Sequence, residues 1–196
     1  MSDETKVVEQ FKKYSDLLLR FSEDHRKSSI EKFLSKYETR LAVSPSSTKL
    51  EYHGCYAGGL IDHSLSVLSI ANKLQKTYKE LDLNIEGNLC LCALLHDVGK
   101  LGTIHKERFV VNSEEWSIKK YGLLYSTVEG LPPVHHCTMM ILQDCGITLT
   151  EEEHQAILLA SVGPWSLDEM KPYSFKENNL SLLLMQADRI SIQIKK

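Results

Sequence analysis

The sequence predicts an all-α fold with one small β-hairpin. Apolar residues recur at three- and four-residue steps along most of the chain, which is the period of amphipathic helices. Only residues 108–119 combine strand-favouring residues with a turn, at Asn112-Ser113. The 196 residues are 42% hydrophobic and 25% charged, which is typical of a soluble globular domain. We therefore expect a helical bundle with one large core and a hairpin inserted into it.

The predicted helices can be placed in order along the chain. The first two lie within residues 6–37 and are separated near Ser28-Ser29, where either serine could cap the second helix. A loop rich in Gly, Pro and Ser follows over residues 43–59. The later helices are predicted at residues 60–81, 86–98 (ended by Gly99), 132–145 (with Gly146 as its C-cap), 150–160 (opened by a Thr150–Glu153 capping box and broken by Gly163-Pro164) and 180–194.

Charge, cysteine content and hydropathy exclude several classes of protein. The chain has 23 Lys and Arg against 26 Asp and Glu, a net charge of -3 without long blocks of one sign, so no long nucleic acid is expected as a partner. Five cysteines without a C-x-x-C pair indicate reduced thiols and a cytoplasmic protein. The longest apolar run, residues 89–95, is too short to span a bilayer, so no membrane partner is expected. Assembly into an oligomer is left open.

Three apolar helical segments each carry a histidine, an aspartate or both. His63 has apolar neighbours on its face, His96 and Asp97 end an apolar run, and Asp188 lies inside another. A buried carboxylate is unfavourable unless it is paired or metal-bound. Each histidine alone could be a structural core residue bonded to a backbone carbonyl. Together, two imidazoles and two carboxylates suit a divalent metal of borderline hardness, namely Mn, Fe, Co, Ni or Zn, in a hydrolytic centre.

The ordered pattern of these residues resembles the HD-domain superfamily of metal-dependent phosphohydrolases. It comprises His63, His96-Asp97 within Leu-Leu-His-Asp-Val-Gly-Lys, and Asp188 within Gln-Ala-Asp-Arg. Residues 42–48, 53–67, Trp116 and 149–153 look like a subgroup of small HD proteins of bacteria and tailed phages, so the resemblance covers residues 41–190. It implies an HD-domain helical bundle at residues 41–196, with residues 1–40 as helices packing on its core. For a phage-encoded protein, the predicted location is the host cytoplasm.

The resemblance also implies roles for individual residues. His63, His96, Asp97 and Asp188 would ligate one divalent transition metal, which activates water for attack on phosphorus. Asp97 would also be catalytic by orienting that water. Lys100, one turn further on, would hold a phosphate oxygen or the leaving group. The alternative for Lys100 is a cation placed favourably at a helix C-terminus.

A second metal is left open by the sequence. Superfamily members with two metals place a further histidine near His135 and His136, which could bind this metal or the substrate. The alternative is a solvent-facing pair at a helix start, above all for His136. Ser161 stands where another histidine is expected, so a single metal is predicted.

The predicted substrate is a small phosphate ester. Thr48, Lys49 and His53 offer hydroxyl, ammonium and imidazole groups suited to phosphate, and they precede the His63 helix. The predicted function is therefore a phosphomonoesterase or phosphodiesterase acting on a nucleotide or nucleotide-like small molecule. One alternative is a catalytically silent HD domain that binds a nucleotide or a protein partner around a structural metal. Another is an oxygenase with a mixed-valent di-iron centre, which needs more histidines than the sequence supplies.

Overall fold

The computed structural model of the chain describes residues 3–162 and 176–194, which are helical apart from one two-stranded sheet. The predicted fold class is confirmed, whereas the predicted break at Gly163-Pro164 lies outside the described residues. A 3-10 helix, Val98–Leu101, follows the fourth α-helix, and the strands are β1 (Phe109–Val111) and β2 (Tyr125–Thr127). The α-helices are α1 (Asp3–Phe21), α2 (Asp24–Val43), α3 (Gly59–Glu80), α4 (Leu89–Leu95), α5 (Glu115–Tyr121), α6 (Val134–Cys145), α7 (Glu151–Val162) and α8 (Asn179–Ile194).

The short helix α4 forms the centre of the core. All of its residues except Cys90 are buried, and α1, α3, α7 and α8 pack around it. A helix that is apolar on every side is stable only when other elements surround it. The chain therefore leaves α4 in the interior of the protein, and the residues that follow it, His96 and Asp97, are buried as well.

The first two helices are separated earlier than predicted. The break falls at Ser22 and Glu23, and the expected break near Ser28-Ser29 is wrong because these serines lie inside α2. The side chain of Asn88 donates to the carbonyl oxygen of Phe21 at 2.6 Å and so satisfies the end of α1. This partner is distant in sequence, which is why local patterns place the break incorrectly.

The N-terminal helices belong to the same core as the rest of the chain. Their buried side chains join one cluster with those of α3, α4 and α8. Helix α2 also continues unbroken through residues 40 and 41, where the sequence suggests a division. That division of the chain stays a prediction.

Helix α4 is shorter than predicted, and Gly99 does not end it. Asn88 caps its first turn, since the side-chain oxygen accepts a hydrogen bond from Leu91 N at 2.9 Å. Gly99 lies inside the 3-10 helix, where a Cβ atom would overlap the carbonyl oxygen of Val134. The glycine is therefore needed for the close approach of α6 to this segment.

The predicted second strand of the hairpin is wrong, because that segment forms α5. Strand β1 instead pairs antiparallel with β2, with Phe109 opposite Thr127. The buried side chain of Asn112 explains the helix: it accepts from Glu114 N at 3.1 Å and donates to the Leu123 carbonyl at 2.9 Å. These bonds begin α5 and hold the chain where it leaves the helix.

The predictions for α6 and for the start of α7 are confirmed. Gly146, with φ of 77°, is the C-cap of α6. Thr150 and Glu153 form the reciprocal bonds of a capping box, at 3.3 and 2.9 Å. In the described ranges, no helix is both long and apolar enough to cross a bilayer.

Glu153 also connects three parts of the core. Its Oε1 atom accepts hydrogen bonds from the guanidinium of Arg26 in α2 and from the backbone N–H of Asn88 before α4, both at 2.9 Å. Arg26 and Glu153 are both buried. The carboxylate therefore pairs with a buried cation and satisfies backbone groups at two helix starts.

We expect Glu153→Ala to lower the free energy of unfolding by about 3 kcal/mol, because it removes one partner of a buried ion pair. Arg26 retains a contact with Glu23 at 3.2 Å, which keeps the loss near the lower end of the range for such pairs. Urea unfolding followed by circular dichroism measures the change. The control is Glu151→Ala, which removes an exposed carboxylate from the same helix turn and should cost only about 0.5 kcal/mol. Equal losses in the two variants would contradict the assigned role of Glu153.

Candidate metal centre

His63 faces α8 from the buried side of α3. Its Nε2 atom lies 3.0 Å from Asp188 Oδ1 and 3.4 Å from Asp97 Oδ2. On the other side of the ring, Nδ1 lies 3.4 Å from the hydroxyl of Ser191. The packing of α3 on α8 therefore brings His63 and Asp188 together although 125 residues separate them.

His96 presents a lone pair to the same point. Its Nδ1 atom is 3.0 Å from the carbonyl oxygen of Ala93, which requires Nδ1 to carry the proton. In the neutral ring, Nε2 then has a lone pair, 3.6 Å from Asp97 Oδ2 and 3.8 Å from Asp188 Oδ1. A lone pair directed toward two carboxylates is unfavourable unless a cation lies between them.

Two of these buried atoms have no hydrogen-bond partner among the described residues. They are His96 Nε2 and Asp188 Oδ1, the latter although it makes an ion-pair contact with His63 Nε2 at 3.0 Å. Buried polar atoms without partners are rare in native proteins and often mark an ion or a reacting group. Both atoms belong to a group with His63 in which the ligand atoms all lie within 4.8 Å of one another.

The donor set fits a divalent metal. Metal-donor distances of about 2.0–2.2 Å separate neighbouring donors by about 3.0–3.5 Å. The separations of 3.0 Å for His63 and Asp188 and 3.8 Å for His96 and Asp188 lie close to this range. His63, His96 and Asp188 could therefore hold the metal, and Asp97 adjoins them.

Asp97 is paired with Lys100. The ammonium of Lys100 lies 2.6 Å from Asp97 Oδ2 and donates to the hydroxyl of Ser46 at 3.2 Å. The same hydroxyl lies 3.2 Å from Nε2 of His53, whose ring centroid is 4.7 Å from that of His63. Lys100 is thus part of the polar wall of the site, and it also lies in the last turn of the 3-10 helix, as its alternative role predicts.

The pKa values reflect burial and close opposite charges. Burial acts to raise the pKa of Asp97, but Lys100 and the two histidines outweigh it and hold this pKa well below its usual range. Burial also acts to raise the pKa of Asp188, but His63 outweighs it, so this pKa is lowered. Burial lowers the pKa of His96, whereas at His63 the two aspartates outweigh burial and raise the pKa. Both carboxylates are therefore ionised and able to bind a cation.

A cavity of about 540 Å³ opens beside the metal centre. This volume lies in the usual range of small-ligand sites. Lys100, Asp97 and Arg189 give one part of its wall a polar character, whereas Leu159, Met185 and Ile192 form an apolar part. The exposed Arg189 has no ion pair in the described part of the chain.

Several residues of this site are absent from the sequence prediction. Arg189 directly follows Asp188, and that adjacency is the one signal that could have indicated it. Ser46 lies in a run of serines that gives no reason to select it. His53 is a predicted substrate residue that does line the cavity, and burial followed by the charges of His63 and Lys100 lowers its pKa to about 4.

Other predicted site residues lie elsewhere in the described structure. Thr48 and Lys49 do not line the cavity: the Thr48 carbonyl accepts from Tyr125 N at 3.3 Å, and Lys49 pairs with Glu51 at 3.7 Å. His135 is buried and His136 exposed, and neither belongs to the metal-ligand group. A second metal at these histidines stays a prediction.

Ser161, found in place of an expected histidine, supports the centre through the backbone. Its hydroxyl donates to the carbonyl oxygens of His96 and Ile157. Thr138, fully buried in α6, accepts from Gly99 N at 2.9 Å. The segment that carries His96 and Asp97 is therefore fixed from both α6 and α7.

Comparison with known proteins agrees with this geometry. Residues 60–133 match the family model of the HD domain. A protein of Oceanobacillus iheyensis, named 3'-5' exoribonuclease YhaM, is 35% identical over 72 residues, which make up 37% of this chain and 21% of the relative. No solved structure matches the chain. Residues 60–133 thus resemble the HD domain, whose superfamily consists mostly of metal-dependent hydrolases, and the matched part of the chain spans about a fifth of the length of this relative.

The expectation that long nucleic acids are not partners is wrong. The matching relative is named as an exoribonuclease, an enzyme that acts on RNA. Net charge led to the error because it averages over the whole surface, whereas a strand end can be bound by a few cations placed at one site.

We expect Asp188→Asn to weaken metal binding at least tenfold, because it removes the charge of a carboxylate ligand but keeps its size. Wild-type protein loaded with Mn, Fe, Co, Ni or Zn should retain about one ion per chain after dialysis. Plasma mass spectrometry measures the metal content, and titration calorimetry measures the affinity. The control is Asp82→Asn at an exposed turn with φ of 56°, a conformation that Asn also tolerates. Retention of the wild-type affinity in Asp188→Asn would rule out this centre.

Proposed function

We propose that this chain is a metal-dependent phosphohydrolase that hydrolyses a phosphate ester of a nucleotide, either free or at the end of a strand. The observation that carries the proposal is the convergence of His63, His96 and Asp188, whose ligand atoms lie within 4.8 Å of one another, with His96 Nε2 buried and without a hydrogen-bond partner among the described residues. The match to the HD domain and to a relative named as an exoribonuclease supports the same class of reaction.

The residues of the centre divide into those that hold the metal and those that act beside it. His63, His96 and Asp188 would hold it, with Asp97 as the fourth ligand. A divalent metal held there would lower the pKa of bound water and neutralise charge on a phosphate oxygen. Asp97 Oδ2, kept ionised by Lys100, would accept a hydrogen bond from water and orient it toward phosphorus.

The cations of the cavity wall would contact phosphate, and its apolar groups would contact the base. The Lys100 ammonium is engaged by Asp97 and Ser46, so its charge acts close to the water and the reacting phosphate oxygens. The guanidinium of Arg189 has no ion pair with any residue that the structure describes and can bind a phosphate oxygen in the ground state. The apolar wall around Met185 and Ile192 suits the flat, weakly polar face of a base.

We expect Arg189→Gln to raise KM about tenfold with kcat nearly unchanged, because it removes a contact made equally in the ground and transition states. Steady-state hydrolysis of p-nitrophenyl phosphate and its bis ester, with each candidate metal, measures both parameters and separates monoesterase from diesterase activity. The matched control is Arg20→Gln, an exposed position on α1 that should leave both values unchanged. A fall in kcat without a rise in KM would contradict the assignment of Arg189.

Lys100→Met should instead lower kcat about a hundredfold, because it removes a charge that acts on the reacting group. The metal content must remain near the wild-type value, since Lys100 is not a ligand. Plasma mass spectrometry on the same samples checks this condition. Wild-type kcat in the loaded variant would assign Lys100 to a structural role.

Ser161 favours a second candidate, a catalytically silent HD domain that binds a nucleotide around a structural metal. Its hydroxyl bonds to backbone carbonyls, and a serine is a poor ligand for a second metal. Turnover of either p-nitrophenyl ester that disappears in Asp97→Ala would exclude this candidate. Stoichiometric metal without any turnover would favour it.

A further inference from the structure

Most exposed aromatic side chains of the described structure lie on one region of the surface. Of five such rings, Tyr52 and Tyr56 belong to the loop between α2 and α3, and Trp116 and Tyr121 belong to α5. The fifth, Phe21, is at the end of α1. Trp116 is 60% exposed and Tyr121 46% exposed. We call the four rings Tyr52, Tyr56, Trp116 and Tyr121 the aromatic surface, and such a concentration in solvent is typical of a binding surface.

The two elements that carry these rings are joined by backbone contacts. Leu50 N donates to the carbonyl oxygen of Gly122 at 2.9 Å, directly after Tyr121. Lys49 and Leu123 form an isolated antiparallel bridge. The loop and α5 are therefore held together as one surface.

The same loop supplies Ser46 and His53 to the metal centre. Tyr52 is the residue before His53, and Tyr56 is three residues after it. Their Cα atoms thus lie within about 4 and 11 Å of that of His53. A ligand that covers the aromatic surface can extend into the cavity without a large gap.

Lysine side chains lie over three of the four rings. The Nζ atom is 5.7 Å from the ring centroid for Lys6 and Tyr56, 5.5 Å for Lys49 and Tyr52, and 5.0 Å for Lys120 and Tyr121. A flat ring with a nearby ammonium can stack a base and contact its phosphate. Lysine is depleted in the cores of protein-protein interfaces, which makes a protein partner the less suitable occupant.

We propose that the aromatic surface binds single-stranded nucleic acid and guides its end toward the metal centre. The inference rests on the proposed function only for the hydrolysis of the bound strand end. The binding itself depends only on the exposed rings and lysines, so the two can be tested separately.

Fluorescence anisotropy with a labelled single-stranded RNA of about ten nucleotides tests the binding. A chelator is present throughout, so that the strand is not cleaved. Trp116→Ala and Tyr121→Ala should each weaken binding about tenfold, as expected for the loss of one stacked base. The matched control is Phe21→Ala, which removes an exposed ring outside the aromatic surface and should bind as the wild type does. Thermal unfolding verifies that all variants are folded, and Trp116→Phe should restore most of the affinity.

Further binding and sedimentation experiments distinguish the possible ligands of the aromatic surface. A DNA strand that shows the same pattern of variant effects also supports the proposal, because every base has a face that can stack. Equal affinities of wild type, Trp116→Ala and Tyr121→Ala for RNA would overturn it, as would equally tight binding of duplex RNA. Sedimentation that shows a wild-type dimer dissociated by Trp116→Ala, without any effect on RNA binding, would assign the surface to a second copy of the chain.

Hydrolysis of the two p-nitrophenyl esters by the metal-loaded wild type distinguishes failure of the proposed function from failure of the proposed binding at the aromatic surface. Ring-dependent RNA binding without ester hydrolysis would overturn the proposed function and leave the aromatic surface established. Ester hydrolysis without ring-dependent binding would overturn the aromatic surface alone.

Discussion

Two carboxylates, the buried Asp97 and the partly buried Asp188, lie around a single imidazole nitrogen of His63, and the rest of the site is arranged about them. Like charges in a buried site repel, and neither can remain ionised unless cations or hydrogen-bond donors compensate them. Lys100 compensates Asp97 directly, and His63 lies 3.0 Å from Asp188. These neighbours keep the pKa values of both carboxylates low, so both are ionised and able to bind a divalent cation.

The central helix α4 explains how this arrangement is positioned. Because it is apolar on all sides, the other helices must surround it, and His96 at its end can only point into the interior. Gly99 then permits α6 to approach, and the hydroxyl of Ser161 fixes the His96 carbonyl from α7. The candidate metal ligands are thus held by rigid helices, whereas the loop before α3 contributes His53 to the cavity wall.

The placement of a few cations matters more for nucleic-acid binding than the net charge of a protein does. A net charge of -3 suggests little affinity for nucleic acid, yet Lys100 lines the cavity and Lys49 lies on the adjacent loop. These cations matter for binding only because they lie near the site, since salt screens the interaction of each charge with distant groups. The match covers a fifth of the relative, so it gives no information about the rest of that protein.

Patterns along the sequence are enough to predict the helical class, the capping box at Thr150, and the burial of His63, His96 and Asp97, whereas Asp188 is only partly buried. These features follow from short-range periodicity and from the cost of burying charge. Tertiary structure alone decided the end of α1, the helix in place of a second strand, and the roles open to Ser46 and Arg189. Each of these depends on a partner far away in the chain, such as Asn88 for α1, and local patterns carry no information about such partners.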